Sequence, residues 1–312
     1  MASFAFVFPG QGSQAVGMLD GWGDHPAVAQ VLAEASQVLG VDIGRLIHDG
    51  PKEQLDLTTN TQPVMLTAGV ACYRAWMAET GMEPVVVAGH SLGEYSALVA
   101  ANALTLADAL PLVRFRAQAM QEAVPVGVGA MAAILGMEAQ AVRDGCHEVA
   151  TTTGEAVEAV NFNDPKQTVI AGTKAGVEKA CEVLKAKGAK RALSLPVSAP
   201  FHSSLMRPAA ERLKEKLASA HFMPPDFPVI NNIDVKEETD PAAIRDALYR
   251  QAFGPVRWVE TVHAIRARGI NRIIECGPGK VLAGMVKRID AEVVTATVLD
   301  PLSLLEAKGL LT

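Results

Sequence analysis

The sequence predicts an α/β protein built on a mainly parallel sheet, into which a small α+β subdomain is inserted. Short apolar runs alternate with long helical patterns before Gly127 and again after residue 197, an order typical of parallel sheets covered by helices. Between these two stretches the order of elements changes to that of an antiparallel unit. With 312 residues, of which 49% are hydrophobic, the chain can bury a large core.

The N-terminal part of the chain alternates strands and helices. Residues 4–8, FAFVF, predict the first strand, and residues 25–40 predict an amphipathic helix with Asp24 as its N-cap. A second long helical pattern covers 61–81, and the apolar run at 85–88 predicts the next strand. These elements start the predicted parallel sheet.

Two helices are predicted after that strand. The first is the alanine-rich pattern over 93–101. The second opens at Thr105, with Asp108 three residues later in the spacing of a capping box. Pro111 lies inside this pattern and is expected to kink or restart the helix, because proline lacks a backbone N–H.

Residues 127–197 predict a separate subdomain with the order β-α-β-β-α-β, which is that of a ferredoxin-like unit. Its predicted elements are a strand at 129–137, a helix at 138–150, strands at 156–163 and 168–172, a helix at 174–188 and a strand at 190–197. The core is then predicted to consist of residues 1–126 and 198–312.

The first alternation resumes after this insertion. Its predicted elements are a helix near 203–220, a strand at 228–232, two helices between Pro241 and Gly269, a strand at 272–277, a helix from Gly279 and a strand at 292–298.

Composition excludes several classes of function. The net charge of −6 and the pI of about 5.7 argue against a surface for nucleic acid or anionic membranes. The four cysteines form no C-x-x-C pair, which indicates reduced thiols in a cytoplasmic protein. The N-terminus lacks a basic signal-peptide region, and no apolar run reaches the roughly 18 residues that span a bilayer.

The segment GHSLG, residues 89–93, fits the nucleophile-elbow pattern G-x-S-x-G around Ser91. A predicted strand precedes it and a predicted helix follows, so Ser91 is expected at a helix N-terminus, where free N–H groups favour negative charge. The N–H of Leu92 is the expected first oxyanion donor. The core is therefore predicted to be α/β-hydrolase-like. The alternative is a strand-to-helix turn with a capping serine.

A serine nucleophile needs a base, and the sequence contains seven histidines. His202, in PFHSSLM, lies between a predicted strand and a predicted helix, on the kind of loop that carries catalytic groups in α/β sheets. His90 adjoins Ser91 and is expected to point to the opposite face as a supporting residue. In the Gly-rich turn FPGQGSQ, residues 8–14, the Gln11 N–H is the expected second oxyanion donor, unless this is an ordinary tight turn.

These motifs occur in a recognisable order together with TQP at 61–63, GAMAAILG at 129–136, NFN at 161–163 and ECGPGKVLAGMVKRI at 275–289. The sequence resembles the malonyl-CoA:acyl-carrier-protein transacylases of fatty-acid synthesis over essentially its whole length.

The resemblance implies a serine–histidine dyad, with Ser91 as nucleophile and His202 as general base and acid. It also implies that a backbone carbonyl at Gln251 orients the imidazole, in place of an aspartate. Arg116 corresponds to the binder of the substrate carboxylate. A planar guanidinium suits that role because it can hold a carboxylate by two parallel hydrogen bonds.

Five further positions acquire implied roles near the substrate. In this superfamily a Phe before the catalytic His, and an apolar residue after the Ser, accompany malonyl rather than methylmalonyl selection, and this chain has Phe201 and Leu92. Gln62, Asn161 and Asn163 match motif positions near the site of the family.

The implied reaction is a ping-pong transfer of malonyl from malonyl-CoA to the phosphopantetheine thiol of acyl carrier protein, by a monomer that uses no metal or redox cofactor. Because carrier proteins are acidic, a local basic patch is expected. Its candidate residues are Lys187, Lys190, Arg191, Lys280, Lys287 and Arg288. The alternative for each residue is an ordinary solvent-exposed charge with no role in binding.

Three alternatives remain open at this point. A serine esterase or thioesterase would need an acid between the serine and the histidine in sequence, and Asp164, in an Asp-Pro turn, is the nominal candidate. An acyltransferase acting in trans in a polyketide pathway would look nearly the same. A catalytically silent acyl-thioester binding module would not need Ser91, His202 and Arg116 together.

Overall fold

The computed structural model describes residues 2–197 and 199–312, whose strands form two sheets. The strands are β1 (Ala5–Phe8), β2 (Val86–Gly89), β3 (Gly129–Leu135), β4 (Val157–Asp164), β5 (Gln167–Thr173), β6 (Arg191–Ser194), β7 (Val229–Ile230), β8 (Arg272–Cys276) and β9 (Val294–Val298). The α-helices are α1 (Pro26–Leu39), α2 (Ile43–Asp49), α3 (Lys52–Leu55), α4 (Thr58–Thr80), α5 (Gly93–Ala100), α6 (Leu106–Glu122), α7 (Ala139–Thr153), α8 (Lys174–Ala186), α9 (Arg207–Ser219), α10 (Pro241–Gln251), α11 (Trp258–Ala267), α12 (Val281–Ile289) and α13 (Pro301–Gly309).

The core sheet has five strands in the order β7-β2-β1-β8-β9, and each of its pairings is parallel. Strands β1 and β2 are buried along their whole length, as expected for a parallel sheet covered on both faces. The prediction of an α/β core with a mainly parallel sheet is confirmed. Strand order reverses between β1 and β8, and ligands bind in such sheets beyond the carboxyl ends of the strands at this reversal.

The second sheet is antiparallel, with the order β4-β5-β3-β6. Helices α7 and α8 pack on it, and together these elements enclose a hydrophobic cluster of their own. The predicted β-α-β-β-α-β order and the separate antiparallel unit are confirmed. We propose on this basis that residues 127–197 form a small subdomain and that residues 1–126 and 198–312 form the core.

Aromatic packing fixes α4 against the centre of the core sheet. The Phe6 ring meets Trp76 at a centroid distance of 5.3 Å and Tyr73 at 6.1 Å, both in edge-to-face geometry. Such pairs contribute about 0.5–1.5 kcal/mol each beyond the burial of their surface. The helix is thereby held with Gln62, in its second turn, at the carboxyl end of the sheet.

The subdomain joins the core next to the candidate site. The N–H of Phe162 donates to the carbonyl of Val256 at 2.9 Å, and the N–H of Val256 donates to the carbonyl of Val160 at 2.8 Å. These bonds tie β4 to the segment between α10 and α11. Asn161 and Asn163, on the same strand, line a cavity at this side of the core.

Two expectations about helix geometry are wrong. Helix α1 has His25, not Asp24, as its N-cap, because Pro26 takes the first helical position. Helix α6 is capped by Thr105 as predicted, but it does not restart at Pro111, since packing of its buried face outweighs the one lost hydrogen bond. A kink at Pro111 stays a prediction.

Other elements differ from the sequence pattern in length or number. Strand β6 ends at Ser194, before Pro196, which cannot donate to a ladder. Helices α2, α3 and α13 were not predicted, because two are short and the third is a chain-terminal segment without a clear period. Among the described residues, no helix is long and apolar enough to cross a membrane.

Candidate active site

The turn after β2 has the backbone of a nucleophile elbow. Ser91 adopts a positive φ of 53°, a backbone conformation that residues other than glycine rarely take. A Cβ on Gly89 would lie 1.9 Å from the backbone of Gly93, and a Cβ on Gly93 would lie 2.1 Å from the carbonyl oxygen of Phe8. Both glycines are therefore required for the sharp turn that presents Ser91.

Replacing Gly89 with Ala is expected to lower the free energy of unfolding by about 3 kcal/mol, because a backbone clash of this depth forces the elbow apart. Urea denaturation measures the change. The matched control is Gly309→Ala at the end of α13, where an added Cβ meets no heavy atom within 4 Å. Equal stability of the two variants would contradict the close approach at the elbow.

The hydroxyl of Ser91 lies against the imidazole of His202, with 2.7 Å between Ser91 Oγ and His202 Nε2. The other ring nitrogen, Nδ1, lies 2.9 Å from the carbonyl oxygen of Gln251 and 3.2 Å from that of Gly254. Because carbonyls only accept, Nδ1 carries the proton and Nε2 presents its lone pair to the serine. The arrangement gives a hydroxyl with a base in reach, and no carboxylate of the described residues bonds to that base.

Burial, together with the positive charge of Arg116, lowers the pKa of His202 to about 3. A protonated imidazole cannot accept a proton from Ser91. The rate of acylation should therefore fall only when the pH drops below the pKa of His202 in the folded protein. Because this pKa lies below the ordinary 6.5, we expect the rate of Ser91 acylation to stay level between about pH 5 and 8. Single-turnover acylation across this range tests the expectation, and an inflection near pH 6.5 would contradict it.

Arg116, on α6, is buried and faces the serine. Its Nη2 lies 3.3 Å from Ser91 Oγ and 3.1 Å from Gln251 Oε1, and its Nη1 donates to Gln62 Oε1 at 2.8 Å. Burial lowers its pKa, while the nearby Tyr95 and Glu94 oppose that effect. Within the described residues, the hydrogen-bond partners of Arg116 are two amide oxygens and a hydroxyl rather than a carboxylate, and its Nε lacks a partner. A buried cation of this kind is suited to receive an anion.

A cavity of about 620 Å³ surrounds these groups. It lies between the carboxyl ends of β1 and β2, the start of α12 and the face of the antiparallel sheet. The lining includes all the predicted substrate and oxyanion residues, namely Gln11, Gln62, Leu92, Arg116, Asn161, Asn163 and Phe201. The volume suits a small acyl group with part of a longer arm.

The turn after β1 lies directly on the elbow. A Cβ on Gly10 would be 2.5 Å from the carbonyl oxygen of His90 and 3.8 Å from the backbone nitrogen of Leu92. This contact brings Gln11 next to Leu92 at the cavity wall. The backbone hydrogen bonds of the described residues use neither the Gln11 N–H nor the Leu92 N–H, which leaves both free to donate.

Comparison with known proteins assigns the family. The model of the acyl transferase domain matches residues 5–301. A malonyl CoA-acyl carrier protein transacylase from Escherichia coli is 52% identical over 308 residues, which are 98% of this chain and 99% of that protein. The chain belongs to the malonyl-CoA:acyl-carrier-protein transacylase family.

Solved structures of family members share the whole fold. An acyl-carrier-protein S-malonyltransferase from Burkholderia pseudomallei is 65% identical, with a TM-score of 0.96 and coverage of 98% of this chain and 99% of that one. A malonyl-transacylase solved in complex with its holo type II PKS acyl-carrier protein is 50% identical, with a TM-score of 0.96 and the same coverage. The protein is therefore an acyltransferase of this family.

The site contains two further residues that the sequence did not predict. Glu94 and Asn232 are buried beside the elbow. Asn232 accepts from the N–H of Ser91 at 2.7 Å through Oδ1 and donates to the carbonyl of Gly89 at 2.7 Å through Nδ2. Burial raises the pKa of Glu94 to about 7, against the effect of donors from Asn232 and Gln251 and the charge of Arg116.

His90 and the two asparagines line the cavity wall on the side of the antiparallel sheet. His90 Nε2 lies 2.8 Å from Asn163 Oδ1, and the ring packs near Trp258. His90 therefore does not bond to the Ser91 hydroxyl, whose imidazole partner is His202. The Oδ1 of Asn161 is buried without a partner among the described residues, so it can accept a donor from a molecule in the cavity.

The candidate basic patch is partly neutralised by ion pairs. Lys187 pairs with Glu148, and Arg288 donates to the buried Asp164 at 2.6 Å. The remaining four candidates are exposed, and these are Lys190, Arg191, Lys280 and Lys287. Lys280 borders the cavity lining at Val281. Within the described part of the chain, these four residues make no ion pair, unlike Lys187 and Arg288.

Proposed function

We propose that the protein transfers a malonyl group from malonyl-CoA to the phosphopantetheine thiol of acyl carrier protein, through an ester on Ser91. The single observation that carries the proposal is the buried guanidinium of Arg116, 3.3 Å from Ser91 Oγ, beside the Ser91–His202 hydrogen bond. A cation at this place matches an acyl group that ends in a carboxylate. Acetyl and simple fatty acyl groups would leave it unpaired.

The first half-reaction forms the ester. His202 Nε2 takes the proton of Ser91 as Oγ attacks the thioester carbonyl of malonyl-CoA. The tetrahedral oxyanion is bound by the N–H groups of Leu92 and Gln11. The C–S bond then breaks, and the departing CoA sulfur takes the proton from His202. Arg116 binds the malonyl carboxylate throughout.

The second half-reaction repeats these steps with a new thiol. The carrier thiol gives its proton to His202, and its sulfur attacks the ester carbonyl. When the C–O bond breaks, Ser91 Oγ takes the proton back. The carbonyls of Gln251 and Gly254 keep the imidazole oriented in both halves. Every proton and leaving group is thus accounted for without a metal or redox cofactor.

Several groups support malonyl as the substrate and carrier protein as the acceptor. Phe201 and Leu92 line the cavity. They are proposed to face the acyl group, where a bulky side chain supplies about 1–3 kcal/mol of discrimination against an extra methyl group. Gln62 accepts a hydrogen bond from Arg116, and Asn161 and Asn163, which line the cavity, are proposed to contact the arm of the substrate. The exposed Lys190, Arg191, Lys280 and Lys287 are proposed to meet the acidic carrier.

The hydrogen bonds of Asp164 argue against a serine esterase. Asp164, the nominal acid of that alternative, is held by Arg288 and by the N–H of Lys166, so it cannot serve His202. A polyketide pathway is the second candidate, because the malonyl-transacylase bound to a type II PKS carrier is 50% identical to this chain. We further propose a monomer in the cytoplasm, which agrees with its four free cysteines.

Acyl transfer from CoA is tested by intact mass. The protein is incubated with malonyl-CoA or, in parallel, with acetyl-CoA, and the adduct is mapped by peptide sequencing. A malonyl adduct on Ser91 that forms far faster than the acetyl adduct is expected. Equal labelling by the two thioesters, or an adduct at another residue, would contradict the proposal. Ser91→Ala provides the control for labelling elsewhere.

A further inference from the structure

Glu94 is a buried carboxylate beside the site that the proposed transfer does not use. It lies in the first turn of α5, three residues after Ser91, and is 2% exposed. Its Oε2 accepts the backbone N–H of Asn232 at 2.8 Å and the side-chain Nε2 of Gln251 at 3.0 Å. Burying a carboxylate is costly unless such donors compensate it, so its presence here calls for a reason.

The side-chain amide of Gln251 is held in one orientation by its neighbours. Its Nε2 donates to Glu94 Oε2 and to the carbonyl of Ser91, each at 3.0 Å, and its Oε1 accepts from Arg116 Nη2 at 3.1 Å. Glu94 Oε2 accepts from both Asn232 and Gln251, so this oxygen selects the NH₂ side of the amide. A reversed amide would point its donors at the guanidinium, which has no acceptor.

This orientation matters for Arg116. With the amide oxygen toward it, Nη2 bridges Gln251 Oε1 and Ser91 Oγ, while Nη1 is held by Gln62. Glu94 lowers the electrostatic cost of the buried cation without touching it. A carboxylate in direct contact would instead occupy the guanidinium edge that an acyl carboxylate needs.

We propose that Glu94 is a positioning residue, which fixes the Gln251 amide by hydrogen bonding and thereby keeps the Arg116 guanidinium directed at the acyl group on Ser91. The inference rests on the proposed malonyl transfer. It assigns Glu94 a role in acyl-group selectivity, in addition to its contact with Asn232 at the elbow. The elbow serves every acyl group alike, so a disturbed Asn232 contact would slow malonyl and acetyl acylation equally. A change in the ratio of malonyl to acetyl acylation therefore reports the contact of Glu94 with Gln251.

A double-mutant cycle tests this role. The variants are Glu94→Met, Gln251→Met and the double substitution, each of which keeps the backbone carbonyl that holds His202. The measured quantity is kcat/KM for Ser91 acylation by malonyl-CoA divided by that for acetyl-CoA. Each single variant is expected to lower this ratio about tenfold, because a hydrogen bond that orients the Arg116 guanidinium is lost. The double variant is expected to lower it no further than Gln251→Met alone.

Two more variants complete the test. Glu94→Gln keeps an acceptor for both donors and is expected to retain the ratio within about twofold, which would rule out a purely structural loss in Glu94→Met. Glu215→Met, at an exposed glutamate on α9, is the matched control. An unchanged ratio in Glu94→Met, additive effects in the double variant, or a loss in Glu94→Gln equal to that in Glu94→Met would each overturn the inference. If the unmodified protein does not prefer malonyl-CoA, the proposed function itself fails.

Discussion

Replacing His202 with Ala is expected to lower the rate of Ser91 acylation by malonyl-CoA about a thousandfold, as is typical for loss of a general base. The imidazole is 2.7 Å from Ser91 Oγ, and no other histidine, aspartate or glutamate of the described residues bonds to that hydroxyl. The oxyanion donors at Gln11 and Leu92 are backbone groups and should survive the substitution. Residual acylation is therefore expected rather than complete loss.

Rapid-quench mass spectrometry measures the acylation rate in the His202→Ala variant. The matched control is His221→Ala, which removes an exposed histidine and should leave the rate unchanged. Because His202 has a positive φ of 67°, thermal unfolding of both variants should be compared with the unmodified protein. A folded His202→Ala variant that acylates at the normal rate would exclude the Ser91–His202 dyad.

Replacing Arg116 with Ala is expected to lower kcat/KM for malonyl-CoA about a hundredfold, because two charge-assisted hydrogen bonds to the acyl carboxylate are lost. Acylation by acetyl-CoA should fall much less, or rise, since no buried cation is left unpaired beside an uncharged acyl group. The pKa of His202 should also rise, because the positive charge of Arg116 helps to lower it.

Arg114→Ala is the matched control for this selectivity change. Arg114 lies on the same helix, is exposed, and donates to the carbonyl of Leu39. Arg116→Lys adds a second comparison, since a lysine keeps the charge but cannot make two parallel bonds to a carboxylate. We expect an intermediate preference in that variant. An Arg116→Ala variant that keeps the full malonyl preference would show that the carboxylate binds elsewhere.

The parts of the site that depend on local geometry were predictable from the sequence. A strand, two glycines at fixed spacing and a helix define the elbow within a dozen residues, so Ser91 and Leu92 could be located directly. His202 could be chosen among seven histidines because it lies between a strand and a helix. Arg116 and Gln251, in contrast, gained their roles from the family resemblance alone.

Residues that act through distant contacts could not be found in this way. Glu94 and Gln251 are separated by 157 residues, and only the approach of α10 to the elbow makes them neighbours. In the sequence, Glu94 looks like an acidic residue in the first turn of a helix, where it is favourable anyway. The one available signal was its position in a helix whose other residues are apolar or small, which indicates burial.

Charge counting also had limits. The sequence predicts a patch of six basic residues, but two of them form ion pairs in the structure. Arg288 pairs with the buried Asp164, and Lys187 pairs with Glu148. Both pairings join elements that are distant in sequence. An ion pair between surfaces depends on how elements pack, and the linear pattern contains no such information.

The fate of the malonyl ester on Ser91 tests serine-mediated transfer to a carrier thiol most directly. The protein is acylated with malonyl-CoA, freed of excess thioester, and divided among buffer, apo-carrier protein and holo-carrier protein. Intact mass of both proteins is followed over time. The expected result is an adduct that persists in buffer and with apo-carrier, and that passes to holo-carrier with stoichiometric formation of malonyl-carrier. Release of free malonate at the same rate in all three samples would contradict the transfer.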